Sequence, residues 1–139
     1  MITGMSHTTI WVLDQDSALK FYTEKLGFEL TTDADMGGGA RWLTVSHPKQ
    51  PDLNLVLAKP APPMLSEEDA RTVQALVAKG ATGAGVMRTD DVRATFKELS
   101  EKDVEFIQEP EERPYGIEAL FRDDSGNWFS LTQAFRDAT

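Results

Sequence analysis

The side chains of residues 7–13 fall into two alternating sets, one of which carries the aliphatic residues Ile10 and Val12. This is the pattern of a half-buried strand. A strand places successive side chains on opposite faces of its sheet. The alternation therefore predicts two sets of neighbours: Thr8, Ile10 and Val12 on one face, and His7, Thr9 and Trp11 on the other. We expect the face that carries Ile10 and Val12 to pack in the core.

The spacing of apolar residues then lengthens to three and four, which predicts a helix. Asp14 or Asp16 is its expected N-cap, because a short acidic side chain accepts hydrogen bonds from free backbone N–H groups. Gly27 stands where a glycine commonly ends a helix. The apolar stripe consists of Ala18, Phe21, Tyr22 and Leu26. Strands over 28–32, 41–46 and 53–57 follow, with 33–39 predicted as a flexible turn or flap.

The same order of elements recurs in the second half of the chain. A strand over 84–88 leads to a helix with Val92, Phe96 and Leu99 at helical spacing. Strands over 104–107, 117–122 and 128–133 come next, and 109–116 is predicted as a loop. A repeat period this long indicates two fused halves of one domain rather than a solenoid.

A proline-rich linker and an additional helix separate the two halves. Three prolines within 59–63 stiffen the linker, Ser66 is the expected N-cap of the helix, and Gly80 is its expected end. The side chains predicted to point inward are Ala70, Val73, Leu76 and Val77. The predicted division is module one at about 5–58, linker and helix at about 59–81, and module two at about 82–135.

Composition narrows the possible partners and chemistry. The 139 residues include 23 acidic and 14 basic side chains, a net charge of −9, which argues against nucleic acid as a partner. The absence of cysteine excludes disulfides, thiolate nucleophiles and zinc–thiolate sites. No apolar run is long enough to span a membrane and no signal peptide is recognisable, so no membrane partner and a cytoplasmic location are expected.

Several segments resemble the vicinal oxygen chelate superfamily, which includes glyoxalase, bleomycin resistance and extradiol dioxygenase proteins. They are His7 at the start of the first strand, ALKFYTEKLGFEL at 18–30, and RPYGIEALFRDDSGNWFSLTQ at 113–133. The resemblance is closest in kind to the metal-free antibiotic-binding members. It implies an α+β fold in which two tandem β-α-β-β-β modules form a cupped mixed sheet. It also implies a homodimer whose cleft walls are shared between chains.

Catalytic members of this superfamily hold a divalent metal with four strand residues, usually His, Glu, His and Glu or Gln. By resemblance these positions fall on His7, on Asn54, on Ala84 or Gly83, and on Ser130. Only His7 matches, and one imidazole with an amide and a hydroxyl is a poor ligand set for a hard divalent cation. We therefore expect no metal, no cofactor and no catalytic residue.

The three tryptophans suggest a different use for the cup. Alternation places Trp42 opposite Leu43, and Trp128 beside Ser130 but opposite Phe129. If the apolar alternates face the helices, all three indoles face the cup, although aromatic residues are also common in cores. Tyr115 and Glu118 come from the neighbouring loop and strand. The predicted ligand-binding residues are His7, Thr9, Trp11, Trp42, Asn54, Tyr115, Glu118, Trp128 and Ser130.

These observations favour a metal-independent protein that binds and sequesters a hydrophobic, planar or aromatic small molecule such as an antibiotic. The alternative is a metal-dependent lyase, isomerase or dioxygenase that uses His7 and Glu118, with Asn54 as a third donor. A paralogue that has lost its ligand is a third possibility. The metal content of the protein and a tryptophan-quenching screen discriminate among them, because fold alone does not determine function.

Overall fold

A computed structural model describes residues 1–135, and its first half is one β-α-β-β-β module. The helix of this module, α1, continues directly into one π-helical turn at Phe21–Lys25. The elements are β1 (His7–Trp11), α1 (Gln15–Lys20), β2 (Glu29–Gly37), β3 (Ala40–His47) and β4 (Gln50–Ala58). The first sheet has the order β1-β4-β3-β2, in which only the β1–β4 pair is parallel.

The second half repeats this architecture after an intervening helix, α2 (Glu67–Ala78). Its elements are β5 (Gly83–Arg88), α3 (Val92–Glu101), β6 (Phe106–Arg113), β7 (Gly116–Arg122) and β8 (Trp128–Ala134). The second sheet has the order β5-β8-β7-β6, again with one parallel pair, β5–β8. The predicted α+β class and the tandem modules are confirmed.

Two segments predicted as irregular are strands instead. The predicted flap at 33–39 is largely the end of β2, which pairs with β3 as far as Gly37. The predicted loop at 109–116 is largely the end of β6, which pairs with β7 as far as Arg113. The ends of these two strands have no clear apolar alternation. Cross-strand pairing and charged side chains hold them in the sheet instead.

Arg41 shows how this works in β2. Its guanidinium contacts Asp33 at 2.9 Å across the strand pair and Asp16 at 2.6 Å on α1. The hydrogen bond from Arg41 lowers the pKa of Asp33. A cation between two acids thus lets an acid-rich segment form a strand.

Each helix begins at a residue whose side chain caps its first turn. The N-cap of α1 is Asp14, which accepts from the Ser17 N–H at 2.9 Å, so Asp14 rather than Asp16 has this role. Ser66 caps α2 as predicted, and Asp91 caps α3 by accepting from the Ala94 N–H at 3.0 Å. Such caps satisfy backbone donors that have no partner within the helix.

One hydrophobic core joins the two modules. Ile10, Val12 and Leu43 of the first module share it with Phe121 and Phe129 of the second. Helix α2 is less deeply buried than predicted, since Ala70 and Val77 are buried but Val73 is half-buried and Leu76 is exposed. The predicted apolar stripe is therefore wider than the buried side of α2.

A buried polar cluster, which we call the Asp123 cluster, also connects the modules. One oxygen of Asp123 accepts the N–H groups of Ser125, Gly126 and Asn127, each at 2.9 Å. The other accepts the Tyr22 hydroxyl at 2.8 Å and the Asn127 amide at 2.9 Å. The Asn127 amide also reaches the Trp11 carbonyl in the first module. Within residues 1–135, no helix is long and apolar enough to cross a membrane.

Candidate functional site

The candidate site is built on the outer faces of the two sheets, meaning the faces turned away from the hydrophobic core. On β1 and β3 the core takes Ile10, Leu43 and Val45. Because strand side chains alternate, their neighbours point to the other side. The outer face of the first sheet therefore carries His7, Thr9, Trp11, Trp42, Thr44, Asn54 and Val56.

His7 and Asn54 are direct partners in the parallel pairing of β1 with β4. The His7 ring lies 5.7 Å from the Trp42 ring, between centroids, at a tilt of 45°. Thr9 pairs with Val56 in the same register. Four predicted site residues therefore come from three adjacent strands and lie on one face.

The Asn54 side chain is hydrogen-bonded to one of a pair of linked threonine hydroxyls, Thr31 and Thr44, which the sequence did not reveal. Thr31 donates to the Asn54 amide oxygen at 2.6 Å and lies 2.6 Å from the Thr44 hydroxyl. Thr31 lies at an irregularity in the β2–β3 pairing, between Leu30 and Thr32. Such a bulge shifts the face on which a residue lies, so simple alternation could not place Thr31 here.

Glu118 is the centre of the outer face of the second sheet. Its carboxylate accepts the Ser130 hydroxyl at 2.5 Å and the Tyr115 hydroxyl at 2.6 Å. Ser130 in turn lies 2.7 Å from the Thr132 hydroxyl. Arg113 approaches the same carboxylate at 3.9 Å. The structure thus brings together three predicted residues and adds two that the sequence analysis did not name, Arg113 and Thr132.

All three tryptophans lie outside the core. Trp42 is 38% exposed, and Trp11 and Trp128 are half-buried. The alternating neighbours of Trp128, Phe129 and Leu131, are core residues. The predicted strand faces are therefore the observed ones, while the role of the indoles in binding remains a prediction.

Trp128 packs closely against the backbone of β5. A Cβ atom built at Gly83 would lie 2.6 Å from Cζ2 of Trp128, which is closer than side chains tolerate. Gly83 is thus required by the indole, so this position has no side chain that could bind a metal. The sequence shows a glycine at 83 and a tryptophan at 128, but only the pairing of β5 with β8 reveals that the two residues are in contact.

A groove of about 840 Å³ runs between the modules on the core side of both sheets, and none of the nine predicted site residues lines it. Its walls include core side chains such as Ile10, Leu55 and Leu131. The hydrogen-bonded side chains beside indole rings are on the outer faces, so we place the candidate site there.

Two tandem β-α-β-β-β modules, each with polar and aromatic side chains on its outer face, define a protein of the paired-module, glyoxalase-like class. Residues 4–131 match the family model of the Glyoxalase/Bleomycin resistance protein/Dioxygenase superfamily. The chain belongs to this superfamily.

Relatives in this superfamily cover nearly the whole chain. UcmS2, which has a crystal structure, is 51% identical in sequence to this chain. The match covers 96% of this chain and 100% of the UcmS2 chain, with a TM-score of 0.89. TnmS3, an antibiotic binding protein from Streptomyces sp. CB03234, is 32% identical, with a TM-score of 0.76 over 96% and 98%. The uncharacterized protein YetH of Bacillus subtilis is 31% identical over 96% of this chain and 100% of its own.

The residues at the four metal positions of the superfamily do not fit a divalent cation. His7 and Asn54 are adjacent, but Ala84 has a methyl side chain and lies at a register shift of the β5–β8 pair. The Ser130 hydroxyl is engaged by Glu118. Within residues 1–135, no group of three or more His, Cys, Asp or Glu side chains could hold a metal ion.

Proposed function

We propose that this protein binds and sequesters a planar or aromatic small molecule such as an antibiotic, without a metal and without making or breaking a bond. The observation that carries the proposal is the placement of indole rings beside hydrogen-bonded polar side chains on both outer faces. Sites for flat organic ligands combine apolar surface with a few oriented polar groups. The likeness to TnmS3, an antibiotic binding protein, supports the same class of function.

Binding in this proposal is a matter of burial and stacking. The Trp42 and His7 rings offer a tilted aromatic pair, and Asn54 offers an amide whose oxygen is already engaged by Thr31. The Asn54 amide nitrogen is then the group oriented to donate to a ligand oxygen. The role of each of the nine predicted residues in binding belongs to this proposal.

We propose that the complete site is formed by two chains. The two outer faces belong to separate sheets, and β1 and β5 each lie at the edge of a sheet with one unpaired side. A second copy could bring the first sheet of one chain beside the second sheet of the other, in the closed symmetry common to homo-oligomers. Light scattering at micromolar concentration should give twice the mass of one chain. The mass of a single chain would contradict this arrangement.

The metal content of the purified protein is expected to be well below one equivalent. One histidine among the four superfamily positions cannot supply the donors that a tight site requires. A chelator should therefore leave the thermal midpoint unchanged, because no metal-binding free energy stabilises the fold. Elemental analysis checks this. Stoichiometric metal that is lost in the His7→Ala variant would instead support the enzyme alternative.

Planar aromatic compounds are expected to quench the tryptophan fluorescence saturably. Replacing Trp42 by alanine should weaken their binding about tenfold, because stacking on an indole contributes roughly 0.5–1.5 kcal/mol beyond the buried area. Leu76→Ala is the control, since Leu76 is an exposed apolar residue and none of the nine predicted site residues lies on its helix, α2. Equal losses of affinity in the two variants would contradict the proposed site.

A further inference from the structure

Glu118 is a carboxylate that the outer face of the second sheet keeps largely out of solvent. Its side chain is 16% exposed. Burying a charged group is costly unless hydrogen bonds compensate. Tyr115 and Ser130 provide them, one to each carboxylate oxygen. The hydrogen bond to Glu118 raises the pKa of Tyr115, so the phenol stays protonated and keeps donating.

The neighbouring arginines do not neutralise this carboxylate by close pairing. Arg113 is 3.9 Å from Glu118, but it is 2.8 Å from Glu111 and also donates to Gln108. Arg122 donates to two backbone carbonyls and pairs with Glu105. Arg88 is in the same cross-strand row, yet within residues 1–135 it makes no ion pair with Glu118.

Glu118 therefore keeps acceptor capacity beside a single, distant arginine. A carboxylate offers about four acceptor positions. Within residues 1–135, two hydroxyls are its hydrogen-bond donors. The remaining positions are available to a donor from outside the chain.

The carboxylate is also positioned relative to an indole. Glu118 pairs with Thr132 on β8, and Trp128 lies four residues earlier on that strand, on the same face. Four residues of a strand span about 13 Å. Leu120 pairs with Ser130 between them and provides an apolar surface. This row suits a flat ring system that rests on Trp128 and Leu120 and places a substituent at Glu118.

We propose that Glu118 selects the ligand by charge, and that the ligands are planar molecules carrying an amine or another cationic group. This inference rests on the proposed function and adds the chemical class of the ligand. Hydrogen bonds between a cationic donor and a carboxylate are stronger than neutral ones and depend on geometry. Tyr115 and Ser130 act as positioning residues that hold the carboxylate in place.

Three planar probes with the same three-ring frame test the proposal by tryptophan quenching at neutral pH. They are proflavine, which is cationic, unsubstituted acridine, which is neutral, and an acridine carboxylate, which is anionic. The protein should bind proflavine at least about tenfold more tightly than acridine, and the anion most weakly. Glu118→Gln should remove this preference by weakening proflavine about tenfold while changing acridine by less than about twofold.

Glu112→Gln is the matched control, because it removes the same charge from an exposed residue that pairs with Ile117 and lies off this face. It should leave all three affinities within about twofold. A cation preference that is equal in the Glu118 and Glu112 variants, or that vanishes in about 1 M salt, would reflect the overall charge and would overturn the proposal.

The outcomes also separate this inference from the function beneath it. If none of the probes binds, the proposed function fails as well. If proflavine and acridine bind equally to the unchanged protein, charge selection fails while aromatic binding stands. This comparison needs no variant, so it can overturn charge selection even if Glu118→Gln does not fold, and the salt dependence of the preference then separates Glu118 from the overall charge.

Discussion

Replacing Asp123 by alanine is expected to lower the free energy of unfolding by at least about 3 kcal/mol. The side chain is 6% exposed and accepts five hydrogen bonds, three from backbone N–H groups and one each from Tyr22 and Asn127. Removing the acceptor leaves buried donors unsatisfied, and each such group costs about 1–3 kcal/mol. Urea unfolding should show a lower midpoint with an unchanged slope.

Two variants locate the source of this effect. Tyr22→Phe removes one donor and should cost about 1–2 kcal/mol. Burial, followed by the negative charge of Asp123, raises the pKa of Tyr22, so its hydroxyl is a donor throughout the neutral range.

Asp124→Ala is the control, because Asp124 is exposed and accepts one side-chain hydrogen bond, from Ser17. It should cost less than about 1 kcal/mol. Equal losses for Asp123 and Asp124 would contradict the importance of the Asp123 cluster.

The Asp123 cluster also shows what the sequence could not predict. The sequence places 123–127 between two predicted strands and Tyr22 in the apolar stripe of a predicted helix, and both predictions describe the local structure correctly. Their contact joins residues 101 positions apart. Local sequence patterns carry no information about a partner so far along the chain. They therefore do not predict that the Tyr22 helix and the 123–127 segment connect the two modules.

The strands were predictable wherever one face is apolar. Alternation gave the faces of β1 and β8 because Ile10, Val12, Phe129 and Leu131 are core residues. It failed at the ends of β2 and β6, where ion pairs replace apolar alternation: Asp33 pairs with Arg41 across two strands, and Glu111 pairs with Arg113 within β6. A strand held by ion pairs has the local composition of a loop, and only its pairing partner distinguishes the two.

The candidate site was predictable to the same extent. Residues that alternate with core positions, such as Trp42 and Trp128, could be assigned to a face from the sequence. A residue at a bulge could not, as Thr31 shows, and the hydroxyl contact between Ser130 and Thr132 was not predicted although both residues alternate with core positions. The chemistry of the face was thus clearer from the sequence than the hydrogen bonds that orient it.

Replacing Leu43 by alanine is expected to cost about 2–5 kcal/mol of stability, while Trp42→Ala next to it should cost much less. Leu43 is fully buried between the sheet and the shared core, so the smaller side chain leaves a cavity that the close-packed surroundings cannot fill. Trp42 is 38% exposed on the outer face, so its truncation leaves an open surface that water can fill rather than a closed cavity. Urea unfolding gives the stabilities, and quenching by a planar probe gives the binding.

Leu43→Ala should keep its affinity under conditions where it remains folded, whereas Trp42→Ala should lose affinity but remain folded. The opposite pattern would mean that Trp42 belongs to the core and Leu43 to the site. The two neighbouring positions therefore test separately whether the inner face stabilises the fold and whether the outer face binds the ligand.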